Sequence, residues 1–312
     1  MGTVFSHKLP NLKHLSYLLA LDKHQHFNKA AQACFVSQST LSSAILKLEQ
    51  QLDCQLLERD HKRFIFTQQG KQVVKLARQL LLNANELVSY AQQQNEDGAA
   101  SVRLGCIPTI APFLLTDLVL QSQKQLPKLD LYLREDTTEK LMVQLAQGDI
   151  DCAILALPIP RHDFASRFLG KDAFYIAGNK RLVDLFLHNS DYQSLPDKSI
   201  FLLNQEHCLT EHAISACQLT DNSKVNDFSA SSLATLVQMT AFHQGITFLP
   251  AMAVNKGLGN SDKLTVLSMQ GNAYRQIGML WRKNSLRLST FNSIGDIVSD
   301  LLTFTSSRTF LS

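Results

Sequence analysis

The 312-residue sequence predicts a mixed α/β chain in two parts: a winged helix-turn-helix running into a long dimerisation helix, then two small α/β lobes. Three observations predict it. Two short helical patterns stand a few residues apart, ahead of an alternating hairpin. One long helical stretch follows, and the remaining ~200 residues alternate strand with helix.

In the first part, Leu12, Leu15, Leu18 and Leu19 recur at helical spacing, as do Phe27, Ala30, Ala31 and Cys34. Ser37 or Ser39 can cap the next helix, whose buried stripe is Leu41, Ile45, Leu48 and Leu52. Only Phe35 to Gln38 separate the two helices, the spacing of a helix-turn-helix whose second helix enters the DNA major groove. Residues 56–67, LLERDHKRFIFT, alternate around Asp60 and His61 as a hairpin wing, with Arg59, Lys62 and Arg63 placed to face a DNA backbone. From residue 68 to 94 no proline and, after Gly70, no glycine interrupts the helical pattern. Val73, Ala77, Leu80, Ala84, Leu87 and Ala91 alternate four- and three-residue steps along it, an a/d seam for pairing with a second copy.

The expected divisions are therefore a DNA-binding domain over 1–67, a linker helix over 68–94, a hinge over 95–100 and a regulatory domain over 101–312. In the last, SVRLGCIPTI, LDLYLRED, DCAILAL, FYIAG, SIFLLN, KVNDFSA, GITFLP and RQIGMLWR read as strands. Residues 113–125, 138–147, 231–243 and 288–304 read as helices. Lobe I is expected over 101–170 and 270–305, and lobe II over 171–269. Ligands in such folds sit beyond the carboxyl ends of strands. Thr109, ending the first strand, is placed either for that role or as a simple helix cap.

Composition narrows the function. Hydrophobic residues are 45% and charged residues 18%, ordinary for a globular protein. Residues 1–97 hold 11 Lys and Arg against 8 Asp and Glu, so the whole net charge of +3 lies in the part expected to meet phosphates. No apolar run nears the ~20 residues of a membrane span, and the opening MGTVFSHKLPNLKH has no secretory h-region. A cytoplasmic protein with no membrane association is expected. Six cysteines show no CxxC or clustered His/Cys spacing, so neither a metal nor a cofactor is expected.

Within NQEHCLTEHAISAC, Cys208 follows His207 and precedes Cys217 by nine residues. A neighbouring imidazolium or a helix N-terminus stabilises thiolate, the form that attacks peroxide. Were the segment helical, the two Cα atoms would stand about 13.5 Å apart, beyond the ~7 Å limit of a disulfide. Two unrelated thiols, one buried on a helix, fit the same spacing.

The run HFNKAAQACFVSQSTLSSAILKLEQQLDCQLLER, followed by FTQQGKQVV, resembles the winged helix-turn-helix of LysR-type transcriptional regulators. The stretches GCIPTIAPFLL, DCAILAL, GITFLPAMAV and IGMLWR resemble the OxyR branch of that family, and HCLxExxxxxC is its most specific element. The resemblance implies a periplasmic-binding-protein-like regulatory domain. It makes Cys208 peroxidatic, Cys217 resolving and His207 the polarising neighbour. By the same resemblance Thr109 and Thr138 bind peroxide and Arg275 stabilises thiolate. Ser37, Gln38, Ser39, Thr40 and Ser43 become candidates for base and phosphate contacts. The chain departs from the family pattern at Ser39, where proline is common, and at Leu46, where a basic residue is. It departs again at Asp53-Cys54, where a Gly-containing turn is usual, and at Glu206, where a glycine usually precedes the His-Cys pair. Glu206 is therefore a candidate for setting the peroxide threshold.

The expected function is a non-enzymatic regulator of peroxide-defence genes. Its implied partners are double-stranded DNA, hydrogen peroxide and further copies of itself as homodimer or homotetramer, with RNA polymerase a further candidate. Two other readings stay open: a regulator responding to a small inducer in the inter-lobe cleft, and a thiol peroxidase using Cys208.

Overall fold

The computed structural model describes residues 9–59, 64–93, 100–159, 164–189, 192–204, 208–216, 222–269 and 273–307. The chain divides into two compact units, residues 1–94 and 95–312.

In the first unit, Asn11 caps α1 (Leu12–His24) by accepting from the Lys13 N–H at 2.8 Å. Next come α2 (Phe27–Ala33) and α3 (Gln38–Leu52). Of the two serines able to cap α3, Ser37 does so, accepting from the Thr40 N–H at 3.1 Å. Leu41, Ile45 and Leu48 are buried against Leu15, Leu18 and Leu21 of α1, and Leu52 is partly buried. The wing pairs β1 (Leu57–Arg59) antiparallel with β2 (Phe64–Phe66), Glu58 opposite Ile65.

The long helix α4 (Gln68–Gln93) departs from the expected seam. Val74 and Ala77 are buried, and Val73 and Leu81 partly so, in the core of this unit. Among the described large hydrophobic residues of the helix, Leu76, Leu80, Leu87 and Val88 are exposed. Packing on α1, with Arg78 bonded to Asp22 at 3.0 Å, turns the i, i+3, i+7 face inward over the first turns. Ala77 thus belongs to the unit's own core rather than to a pairing face.

The second unit is built on one sheet in the order β4-β3-β5-β11-β6-β9-β7-β8, with β10 beside β6. The elements run β3 (Ala100–Cys106), α5 (Ala111–Gln125), β4 (Leu129–Glu135), α6 (Thr138–Gln147), β5 (Cys152–Leu157), β6 (Phe164–Gly178) and α7 (Lys180–Asn189). They continue β7 (Ile200–Leu203), α8 (Cys208–Ala216), β8 (Val225–Ala230), α9 (Leu233–Phe242), β9 (Ile246–Pro250) and α10 (Ala251–Asn255). The unit closes with β10 (Thr265–Ser268), β11 (Tyr274–Arg282) and α11 (Leu288–Ser307). Strands β4, β3 and β5 are mutually parallel, as are β9, β7 and β8, while β11 and β6 join the two sets antiparallel.

Two hydrophobic cores divide along β6: Leu169 packs in one and Phe174 in the other. Here the strand expected at 174–178 begins ten residues earlier, because β6 pairs with β11 over 164–173 and then with β9 over 174–178. The first strand stops at Cys106 rather than 110, since Pro108 has no N–H to donate and residues 107–110 close a turn through Ile110 N–H to Ile107 O. Helices α7 and α10 and strand β10 were not among the expected elements. Asn179 starts α7, its side chain accepting from the Arg181 N–H at 3.0 Å.

Gly70 sits in the first turn of α4, where a Cβ would lie 2.1 Å from the Leu56 carbonyl oxygen. Gly70→Ala is expected to destabilise the protein despite alanine's better helix propensity, by roughly 1–3 kcal/mol. Urea unfolding measures this, and an unchanged or raised midpoint would contradict it.

Candidate functional site

The second unit holds a fully buried guanidinium. Arg275, near the start of β11 and opposite Asp172 of β6, is 1% exposed. Its Nε donates to Asp172 Oδ2 at 3.0 Å, Nη1 to Thr109 Oγ1 at 2.8 Å and Nη2 to the Thr109 carbonyl at 2.9 Å. The Met252 sulfur lies 3.5 Å from Nη2. Asp172 uses its other oxygen to accept from the Met252 N–H of α10 at 3.0 Å. Burial pushes the Asp172 carboxyl above its ordinary range, against the opposing pull of Arg275 and of the α10 amides.

Strand ends explain why these groups meet. Cys106 ends β3 opposite Glu135, which ends the parallel β4, so the turns carrying Thr109 and Thr138 leave the same sheet edge. On β5, Leu157 pairs with Gln276, which brings Arg275 to that edge as well. Thr109 lies in the β3–α5 turn rather than on the strand. It does not cap α5, whose N-cap is Ile110 without a side-chain bond. Thr138 opens α6 and is half-buried.

Cys208 is the first residue of α8, which follows β7 and packs against both β7 and β11, the strand of Arg275. Leu209 and Ala213 bury that helix in the second core, and Thr210 Oγ1 donates to the Leu203 carbonyl at 2.8 Å. Glu206, His207 and Cys217 lie outside the described residues. Cys106 and Cys152 are fully buried, and burial pushes both thiols far up, reinforced by Glu135 and Asp151 respectively. They are inert hydrophobes.

In the first unit Ser37, Gln38, Ser39, Thr40 and Ser43 are all exposed at the start of α3. Arg59 is engaged within the unit, with Nη2 3.5 Å from Glu49 and its guanidinium over the Phe27 ring at 5.7 Å. Lys62 and Arg63 lie outside the described residues. A groove of about 450 Å³ between α1 and α3 brings Lys13, His14 and Lys47 beside Ser39, Thr40 and Ser43. Two ammonium groups among hydroxyls suit a phosphate. Sequence reasoning missed Lys13, His14 and Lys47, as it missed Asp172 and Met252. An aspartate inside the apolar run FLGKDAFYIAG was the one legible signal among them.

Among the described residues no helix is long and apolar enough to cross a membrane, and no His/Cys/Asp/Glu group is arranged to hold a metal ion.

Residues 12–71 match the bacterial regulatory helix-turn-helix proteins of the lysR family, and residues 95–302 match the LysR substrate binding domain. The HTH-type transcriptional regulator EstR of Acinetobacter baylyi is 38% identical over 294 residues, spanning 93% of this chain and 96% of that protein. The DNA-binding transcriptional dual regulator OxyR of Escherichia coli is 33% identical over 295 residues, 92% of this chain and 94% of its own. Among solved structures, the reduced form of the regulatory domain of OxyR2 from Vibrio vulnificus is 49% identical with a TM-score of 0.61. It covers 65% of this chain and 95% of that one.

Asp172→Ala leaves a buried cation unpaired and is expected to cost about 3–5 kcal/mol in urea unfolding, with a loss below about 1 kcal/mol contradicting the clamp. Alkylation of the native protein, mapped by mass spectrometry, is expected to spare Cys106 and Cys152 until the chain unfolds. Labelling of either thiol in the folded state would refute their assignment as inert.

Proposed function

Because the chain belongs to the LysR family of transcriptional regulators, we propose that it senses hydrogen peroxide at Cys208 and passes the signal to bound DNA. The observation that carries this reading is the packing of α8, which begins at Cys208, against β11, which holds Arg275 on Thr109. A cation and a hydroxyl beside a sulfur favour thiolate and help the departing hydroxide. The Cys208 thiolate attacks one peroxide oxygen, the O–O bond breaks, hydroxide leaves and a sulfenic acid remains. Cys217 then displaces the sulfenic oxygen as water and forms the disulfide. His207 polarises the first thiol, Thr109 and Thr138 bind the peroxide, and Glu206 tunes the threshold.

Helix geometry makes the bond a switch. Across the eight steps from 208 to 216, α8 spans about 12 Å. The next Cα lies only ~3.8 Å further along the chain. Residues 208 and 217 are therefore at least ~8 Å apart while the helix stands, beyond the ~7 Å of a disulfide. Disulfide formation requires α8 to unwind, which converts a covalent event into a change of shape.

On the DNA side, Ser37, Gln38, Ser39, Thr40 and Ser43 read base edges and phosphates, while Arg59, Lys62 and Arg63 hold the backbone. The domain divisions proposed are those of the sequence reading, 1–67, 68–94, 95–100 and 101–312. The exposed Leu76, Leu80, Leu87 and Val88 of α4 support pairing with a second copy, within a homodimer or homotetramer. Peroxide-defence genes are the proposed targets and RNA polymerase a proposed partner. A second reading, a small inducer in the inter-lobe cleft, draws support from the match to the LysR substrate binding domain.

Stoichiometric hydrogen peroxide added to the reduced protein is expected to remove two free thiols and yield a Cys208–Cys217 peptide by mass mapping. Persistence of both thiols sinks the peroxide reading. Regulation that survives Cys208→Ser selects the inducer reading instead.

A further inference from the structure

The turn between α2 and α3 carries a large apolar side chain that packs on nothing in the fold. Helix α2 ends with the Val36 N–H donating to the Ala31 carbonyl at 3.0 Å and the Phe35 N–H to the Gln32 carbonyl at 3.1 Å. That paired closure demands a left-handed residue at position 35, a place where glycine is the ordinary occupant. Phe35 takes it, at φ 54°. The other non-glycine residues at positive φ among those described are Gln25, Asp53, Lys198 and Gln244, all polar. A bulky aromatic side chain in this conformation is an outlier.

The ring recovers no burial in exchange. It is 95% exposed, the highest value of any large hydrophobic residue described. Its neighbour Val36 packs against the core of the unit, and Ser37 caps α3. Phe35 therefore stands two residues before the N-cap of the helix whose Gln38, Ser39, Thr40 and Ser43 are exposed. Strained backbone combined with an unburied ring, at the entrance to a recognition helix, marks a residue retained for something outside the chain.

We infer that Phe35 is an apolar contact to DNA, its ring lying on one strand, against a thymine 5-methyl group or a deoxyribose. DNA is the occupant because the ring is continuous in sequence with the exposed first turn of α3, and because apolar contact with thymine methyls is an established way of reading the major groove. The inference rests on the helix-turn-helix reading of α2 and α3 and is independent of the thiol chemistry.

The test uses the full-length protein and a duplex selected from a random-sequence DNA pool by the wild-type chain. Phe35→Gly and Phe35→Asn relieve the left-handed strain, so both are expected to melt at a higher temperature than wild type. Both are also expected to bind the selected duplex about tenfold more weakly. Phe35→Tyr keeps the ring and the affinity. Because no phosphate contact is lost, the slope of log affinity against log salt stays unchanged. Replacing thymines one at a time by uracil identifies the source. A methyl contact makes one replacement weaken the wild type and leave Phe35→Gly unaffected, whereas a deoxyribose contact leaves every replacement silent while the Phe35→Gly loss persists. Wild-type affinity in Phe35→Gly and Phe35→Asn overturns this inference alone, as does an altered salt slope. Failure of the wild type to select any sequence overturns the helix-turn-helix reading and this inference with it.

Discussion

The regulatory unit depends on how it accommodates Arg275. A guanidinium taken out of water must meet a carboxylate and fill its remaining donors, or the cost exceeds what a domain can bear. Asp172 supplies the charge, and Thr109 supplies both its hydroxyl and its carbonyl. A buried pair of this kind adds little net stability over well-packed apolar residues. Its effect is positional, since one planar group holds the β3–α5 turn, β6 and, through Asp172, the first amides of α10 in a single arrangement.

A second acid clarifies why depth matters. Burial alone would raise the Asp151 carboxyl. Arg103, bonded to it at 2.8 Å, outweighs that effect together with Arg287 and holds the group below its usual range. Arg103 keeps half its side chain in water, whereas the side chains of both members of the Arg275–Asp172 pair are almost entirely enclosed. The outer cluster resembles an ordinary partly solvated ion pair. In the inner pair burial wins over attraction, and the Asp172 carboxyl lies above its ordinary range.

The two units divide their tasks along a related line. In the first, most apolar residues of α1 and α3 enter one small core while the polar ones at the start of α3 remain outside. The long α4 serves both purposes, Val74 and Ala77 closing that core while Leu80 and Leu87 beyond them stay exposed. In the second, β6 contributes to both cores, through Leu169 to one and Phe174 to the other, and Phe113 packs against each.

By itself the sequence determined what depends on neighbours along the chain. Caps, the 3.6-residue stripe of α3, the hairpin, the alternation of strands with helices and the approximate ends of α6 and α11 were all legible, because each reflects contacts over a few residues. Resemblance added Thr109 and Arg275 as functional candidates without saying how they are held. Tertiary structure alone decided that Arg275 spans 166 residues to reach Thr109 and 103 to reach Asp172. It decided that Ala77 turns inward, and that β6 is one long strand because it has two successive partners. No local pattern encodes such meetings; they follow from the path of the chain and from the need to pair a buried charge. Phe35 lies between the two cases: its place in the turn was readable, but its exposure and the left-handed backbone that makes it costly emerged only when α2 and α3 were fixed in place.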